Sequence, residues 1–152
     1  MTLKHAKGNL IDLAEQDVFD VIVHGCNCKH VMGSGIAKEI KTRYPEAFAI
    51  YTKHKPIIGG FSSVPTERGF IIVNAYTQYH YLPRGIDHFE YKAFEEILVK
   101  LRNLWPKKRF GFPYIGMGLA GGNKERIIDM LEHFAEELEP WGGSVTLVEF
   151  ST

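Results

Sequence analysis

The sequence predicts an α/β domain, with a largely parallel or mixed central sheet and helices on both faces. Three observations predict it. Short β-branched and aromatic runs alternate with helix-length stretches of 3.6-residue periodicity, the pattern of strands joined by crossover helices. Two glycine-rich segments, Gly33 to Gly35 and Gly116 to Gly122, each follow a strand-like run and precede a helical one. A chain of 152 residues is long enough to bury roughly 70% of its unfolded surface without disulfide staples. The expected arrangement is three layers, α/β/α, in a single domain over 1–152.

Each element has its local reason. Leu3 to Lys7 reads as a first strand, and Gly8 to Gln16 turns from it into a brief helix with Asn9 at the turn. Val21 to Val23 is a β-branched run of the kind that a strand buried on both faces tolerates. A helix from Gly35 to about Arg43 carries Ile36, Ala37 and Ile40 at helical spacing, and Pro45 both ends it and opens a second helix sharing Phe48 and Tyr51 on one face. The turn-rich stretch from Lys53 to Gly69 holds one short edge strand. Phe70 to Ala75 is a strand, followed by an exposed aromatic loop from Tyr76 to Gly85. Asp87 and Glu90 have the spacing of a capping box ahead of a long amphipathic helix bearing Phe89, Phe94, Ile97, Leu98, Leu101 and Leu104. Phe110 to Tyr114 is a strand interrupted by Pro113, Asn123 caps a helix to about Leu138 with Ile127, Met130, Leu131 and Phe134 inward, and Val145 to Phe150 is the last strand.

Composition excludes several functions. Lys plus Arg equals Asp plus Glu, 18 each, so the basic face that nucleic-acid binders use is not expected. No apolar run reaches the ~18 residues of a membrane span. Cys26 and Cys28 are too close for an ordinary bridge, which points to a reducing, cytoplasmic setting and to small buried hydrophobes rather than nucleophiles. His30, His54, His80, His88 and His133 lack metal-ligand spacing and read as surface or helix-face residues, so no metal is expected. The Lys107-Lys108-Arg109 run reads as a solvated turn.

The chain is organised around the stretch VIVHGCNCKHVMGSGIA, Val21 to Ala37. Strand, glycine loop and helix N-terminus together form a natural anion cradle, because backbone N–H groups and the helix dipole converge there. Neither GxxxxGK[ST] nor GxGxxG is present, so on this loop alone phosphate binding and a plain tight turn remain alternatives. His24 and Asn27 are expected at the strand end, projecting into the loop mouth, although a histidine satisfied at a strand end is the bland alternative for His24. A second glycine loop at another strand's carboxyl end makes a ligand with two phosphates, a nucleotide-like diphosphate, the natural occupant.

Taken together, GNL after the first strand, IVHGCNCKHVMGSGIAKEIKTRYPEA, and PYIGMGLAGGNKE before the last helix resemble a macro domain, the ADP-ribose-binding fold. The resemblance runs from about Leu3 to Phe150. The first loop resembles the branch containing ADP-ribose 1″-phosphate phosphatases and small stand-alone viral and bacterial macro proteins. It implies Asn9 and Leu10 at the adenine, with Asn in the usual place of Asp. It also implies Asn27 at the distal ribose, Gly33, Ser34, Gly35 and Ile36 in the first phosphate loop, and Gly116, Met117, Gly118 and Leu119 in the second. Phe150 is placed for stacking on the base.

His24 takes the position of the phosphatase branch's catalytic histidine, with Asn27 orienting ribose or water. The implied activity is metal-free hydrolysis of ADP-ribose 1″-phosphate to ADP-ribose and phosphate, without a cofactor. The alternatives are a non-catalytic ADP-ribose reader and a hydrolase removing ADP-ribose from protein or nucleic acid. The lysine and aspartate of a glutamate-deconjugating branch are replaced here by Thr77 or Gln78 and by Ala120. The implied partner is the small-molecule ligand, with no duplex nucleic acid or membrane. A monomer or weak dimer in the cytoplasm, or in the host cytoplasm for a viral protein, is expected. The tyrosines Tyr76, Tyr79 and Tyr81 are candidates for lining the ligand or for a homodimer contact.

Overall fold

A computed structural model describes residues 2–151. Its six strands, β1 (Lys4–Gly8), β2 (Val21–Asn27), β3 (Phe61–Pro65), β4 (Ile71–Gln78), β5 (Arg109–Phe112) and β6 (Ser144–Phe150), form one sheet in the order β1-β6-β5-β2-β4-β3. All neighbours pair in parallel except β3, which lies antiparallel to β4 at the edge. The mixed α/β class is as expected.

Alternation along β2 shows how the layers arise. Val21 and Val23 face a core closed by α4 (Tyr91–Leu104) and α5 (Lys124–Leu138), together with Phe94, Phe110, Phe112 and Phe134. Ile22 faces the opposite core, closed by α1 (Leu10–Glu15), α2 (Gly35–Arg43) and α3 (Pro45–Lys53). Since side chains on a strand point alternately to the two faces, a continuous apolar run needs cover on both.

Caps set the helix starts. Asn9 accepts from the Asp12 amide at 3.0 Å to begin α1, and Asn123 accepts from the Arg126 amide at 3.0 Å to begin α5. Pro45 stands in the first turn of α3, where its missing N–H is not needed. The expected capping box at α4 does not form. Asp87 accepts instead from the Phe89 amide at 2.9 Å and the Tyr91 hydroxyl at 2.6 Å. Glu90, at the cap position, makes no side-chain cap bond and donates its own amide to the Thr77 carbonyl at 2.8 Å, which holds the entry extended.

Two strands are longer than the sequence indicates. β2 does not stop at Val23 but continues to Asn27, because β4 runs to Gln78 and supplies partners for His24, Gly25 and Cys26. Tyr76 accordingly lies buried within β4 rather than in the exposed loop. The pairing slips between Cys26 and Asn27, where Thr77 is the extra residue of a β-bulge. β5 ends at Phe112, ahead of Pro113. Arg109 leaves the solvated turn and grips Asp20 through two guanidinium nitrogens at 2.9 and 3.1 Å, tying the start of β5 to that of β2. Hydrogen bonding from Arg109 holds the Asp20 carboxyl below the usual carboxylate range.

Candidate functional site

β2 is the strand at which the chain changes direction across the sheet, with β4 on one side and β5 on the other. A groove opens above the carboxyl ends of the strands, the place where such sheets bind ligands. It has two chambers that share Gly35 and Ile36. The first, about 310 Å³, lies over β1 and β6 and is lined by Gly8, Leu10, Glu39, Pro113, Val148 and Phe150. The second, about 460 Å³, lies over β2 and β4, between the two glycine loops.

The first loop rests on Asn27. Its Oδ1 accepts from the amides of Lys29 at 2.9 Å and Val31 at 3.4 Å, its Nδ2 donates to the Val31 carbonyl at 2.9 Å, and the Tyr51 hydroxyl reaches its backbone carbonyl at 2.5 Å and its Oδ1 at 2.8 Å. Tyr51 is fully buried on α3, and burial pushes its pKa up, so it stays a neutral donor. The loop delivers the chain to α2, whose N-terminal position is taken by Ser34 without a side-chain cap bond. No acceptor is engaged by the amides of Gly33 to Ala37 among the described residues, and these residues line the second chamber.

The second loop faces them. Amides of Gly118, Leu119 and Ala120 have no protein acceptor among the described residues, and all three residues line the chamber. Gly116 is required for this path. Its φ is 72°, and a Cβ there would stand 2.3 Å from the Phe89 ring. At the floor, a Cβ on Gly25 would meet the Thr77 hydroxyl at 2.8 Å. That hydroxyl, on the bulge, is buried without a hydrogen-bond partner.

The structure brings Leu10, Asn27, Gly33, Ser34, Gly35, Ile36, Gly116, Gly118, Leu119 and Phe150 to the groove, and keeps three other expected residues out of it. His24 does not project into the loop mouth. It is fully buried on the α3 side of the sheet because β2 continues past it, and its Nε2 lies 2.6 Å from Asn74 Oδ1. Asn74 in turn donates to the Ala47 carbonyl and Ser62 Oγ, both at 3.0 Å. Burial outweighs the Asn74 hydrogen bond and pushes the His24 pKa down to about 4, so the ring is neutral near pH 7. Direct proton exchange with a ligand in the groove is unavailable to it in this geometry.

Asn9 does not line the chamber. Its Oδ1 accepts the Asp12 amide to cap α1, its Nδ2 donates to Glu39 Oε1 at 2.9 Å, and Glu39 lines the chamber instead. Met117 packs against the α4–α5 core. Gln78, Tyr81 and Arg84 line the second chamber without having been singled out from the sequence for that role, Tyr81 excepted as an open candidate. Gln78 was hidden because β4 runs three residues past the strand expected to end at Ala75, and Arg84 because the segment after β4 has no periodicity. Their signal would have been that this segment leaves the carboxyl end of the strand beside β2. Cys26 is buried and Cys28 half-buried, and burial raises both thiols' pKa values, which disfavours thiolate chemistry.

The macrodomain of Thermus aquaticus DarG superposes on 99% of this chain and 98% of its own with a TM-score of 0.76 at 21% identity. The Trypanosoma brucei macrodomain, solved in complex with ADP-ribose, superposes on 98% of this chain and 63% of its own with a TM-score of 0.72 at 13% identity. An uncharacterised 17.5 kDa protein of Enterobacteria phage T4 is 30% identical over 91% of this chain and 94% of its own length. This chain has the macrodomain fold and belongs to one family with that phage protein.

No family model matches the chain. An ADP-ribose 1″-phosphate phosphatase of Neosartorya fischeri is 54% identical over 33 residues, 22% of this macrodomain and 16% of the phosphatase. No helix of the described macrodomain is long and apolar enough to cross a membrane.

Proposed function

We propose that this macrodomain binds ADP-ribose, with the base over β1 and β6, the diphosphate between the glycine loops, and the terminal ribose over β2 and β4. The observation that carries this reading is the pair of facing amide rows inside one continuous groove. Unpartnered N–H groups fit an anion that brings its own acceptors, and a helix N-terminus adds its dipole to one row. The apolar chamber beside them, with Leu10 as wall and exposed Phe150 at its edge, suits a planar base. The ADP-ribose complex of the Trypanosoma brucei relative supports the same ligand class.

Hydrolysis of ADP-ribose 1″-phosphate is the second reading, favoured by the short stretch shared with the Neosartorya fischeri phosphatase. Water attacks phosphorus as the P–O bond to the sugar breaks, and the proton that the water loses ends on the departing hemiacetal oxygen, a better leaving group than an ordinary alkoxide. Loop amides take up the developing charge. His24 serves this chemistry only through the Asn74 contact that positions β2 and α3, since no carboxylate or imidazole lines the second chamber among the described residues.

Calorimetric titration with ADP-ribose, with AMP and ribose 5-phosphate as controls, tests the first reading. One-site binding in the micromolar range, about −8 kcal/mol, is expected for ADP-ribose. Absence of heat at several temperatures with folded protein rejects it. Phosphate release from ADP-ribose 1″-phosphate tests the second. His24→Gln retains release if His24 is a positioning residue and abolishes it if His24 is the acid or base.

A further inference from the structure

Arg84 is the one cationic side chain lining the second chamber among the described residues, and no carboxylate lines that chamber. Among the described residues it makes no ion pair or hydrogen bond with the protein. The loop amides already face the place proposed for a diphosphate, so a guanidinium elsewhere in the same chamber is charge to spare. Strand order gives its direction. The base chamber lies over β1 and β6, whereas Gln78 ends β4 and Tyr81 and Arg84 follow it, across β5 and β2 from the base. A ligand laid along the groove therefore presents its terminal group to these three side chains.

We propose that Arg84, with Gln78 and the Tyr81 hydroxyl, forms a specificity subsite for a second anionic group, a phosphomonoester on the terminal ribose. The inference rests on the ADP-ribose reading and deepens it. A guanidinium presents a planar fork of donors that matches two oxygens of a monoester, and an amide and a phenol offer further donors to the third. A neutral terminal hydroxyl gains little from the same fork. This subsite thus sorts phosphorylated from unphosphorylated ligand, whether or not hydrolysis follows.

The test is an affinity ratio. Wild-type protein and the variants R84Q and R84K are titrated with ADP-ribose and with ADP-ribose 1″-phosphate, and the two dissociation constants are divided. Where the monoester is hydrolysed, its initial-rate KM against the Ki of ADP-ribose supplies the same ratio. Wild type is expected to prefer the monoester by about tenfold or more, R84Q to bring the ratio near one, and R84K to fall between. Arg84 is exposed, so the preference also shrinks as salt rises. A wild-type ratio near one, or a preference that R84Q leaves intact, overturns the subsite while the ADP-ribose reading stands. Failure of both ligands to bind wild type overturns that reading, and the subsite with it.

Discussion

The two glycine loops turn the same kind of surface to the groove and are held in place by different physics. The first is hung on side chains: Asn27 ties residues 29 and 31 to β2 and Tyr51 ties Asn27 to α3. The second is held by fit and by its own backbone, with Gly116 against Phe89, the Gly122 amide on the Gly116 carbonyl at 2.7 Å and the His88 amide on the Ala120 carbonyl at 2.7 Å. A loop held by polar side chains fails when a side chain is removed. One held by close approach fails when an atom is added.

The largest effect expected from that difference is at Gly116. Gly116→Ala adds a methyl into the Phe89 ring and places a non-glycine residue at φ 72°. Overpacking and left-handed strain together cost about 3 kcal/mol, read from the denaturant midpoint at unchanged slope. Phe89→Leu in the Gly116→Ala background recovers the steric part and leaves the conformational part. A Gly116→Ala protein of wild-type stability would mean that the second loop is not held by fit.

Acid attacks the other side. The His24 pKa lies at about 4 in the fold against an ordinary 6.5, so the unfolded chain binds the extra proton between those values. The contribution of neutral His24 is complete above about pH 6.5 and is lost as pH falls towards 4, amounting to about 3 kcal/mol. His24→Gln keeps a donor for Asn74 and carries no titrating group, so it flattens this part of the stability profile. Equal pH slopes for wild type and His24→Gln would show that His24 is not the buried neutral group described. Lowering the pH is expected to reduce amide protection in β2 and α3 more in wild type than in His24→Gln.

His24 also shows where sequence reading stops. The strand, loop and helix around it were legible because a β-branched run, a glycine cluster and a helical stripe are local signals, and both glycine loops and their placement at strand ends follow from these. Whether β2 ends at Val23 or at Asn27 is decided by β4, 50 residues away at Asn74, whose length sets how far the ladder runs. Four residues of strand turn His24 from a mouth residue into a buried one. Asn9 was legible as a turn residue, but only the helix geometry shows that its oxygen caps α1 through the Asp12 amide and that Glu39 takes the place on the chamber wall. At α4, Asp87 and Glu90 had the right spacing, and a tertiary bond from Glu90 to Thr77 overrode it. Gln78 ends a strand whose length its partner sets, and Arg84 lies in the aperiodic segment beyond it, where local pattern carries no position.

At Asn27 the comparison can be sharpened by separating stability from binding. Asn27→Ala strands the amides of Lys29 and Val31 and costs about 2 kcal/mol together with ADP-ribose affinity. Asn27→Asp keeps the acceptor for those amides and for Tyr51 but loses the bond to the Val31 carbonyl and puts a negative charge into the chamber proposed for the diphosphate and terminal ribose. Its stability is expected to fall less than that of the alanine variant, and its affinity at least as much, by about tenfold or more in calorimetry. Parallel losses in the two variants would place Asn27 in loop support alone.

The smallest effect on stability is expected at Ser34, and it bears most directly on what the first loop is for. A serine at a helix N-terminus ordinarily caps it, and removing such a cap costs about 1 kcal/mol. Ser34 makes no cap bond, so Ser34→Ala should change stability by no more than about 0.5 kcal/mol. The uncapped amides and the free hydroxyl remain available for a ligand, and a hydrogen bond to a charged phosphate oxygen is stronger than one to a neutral acceptor. Thermal melts of wild type and Ser34→Ala should therefore coincide without ligand and separate with saturating ADP-ribose, wild type melting higher. Coincidence under both conditions would mean that the backbone alone serves the anion, making the first loop as independent of its side chains at the ligand as the second is at its base.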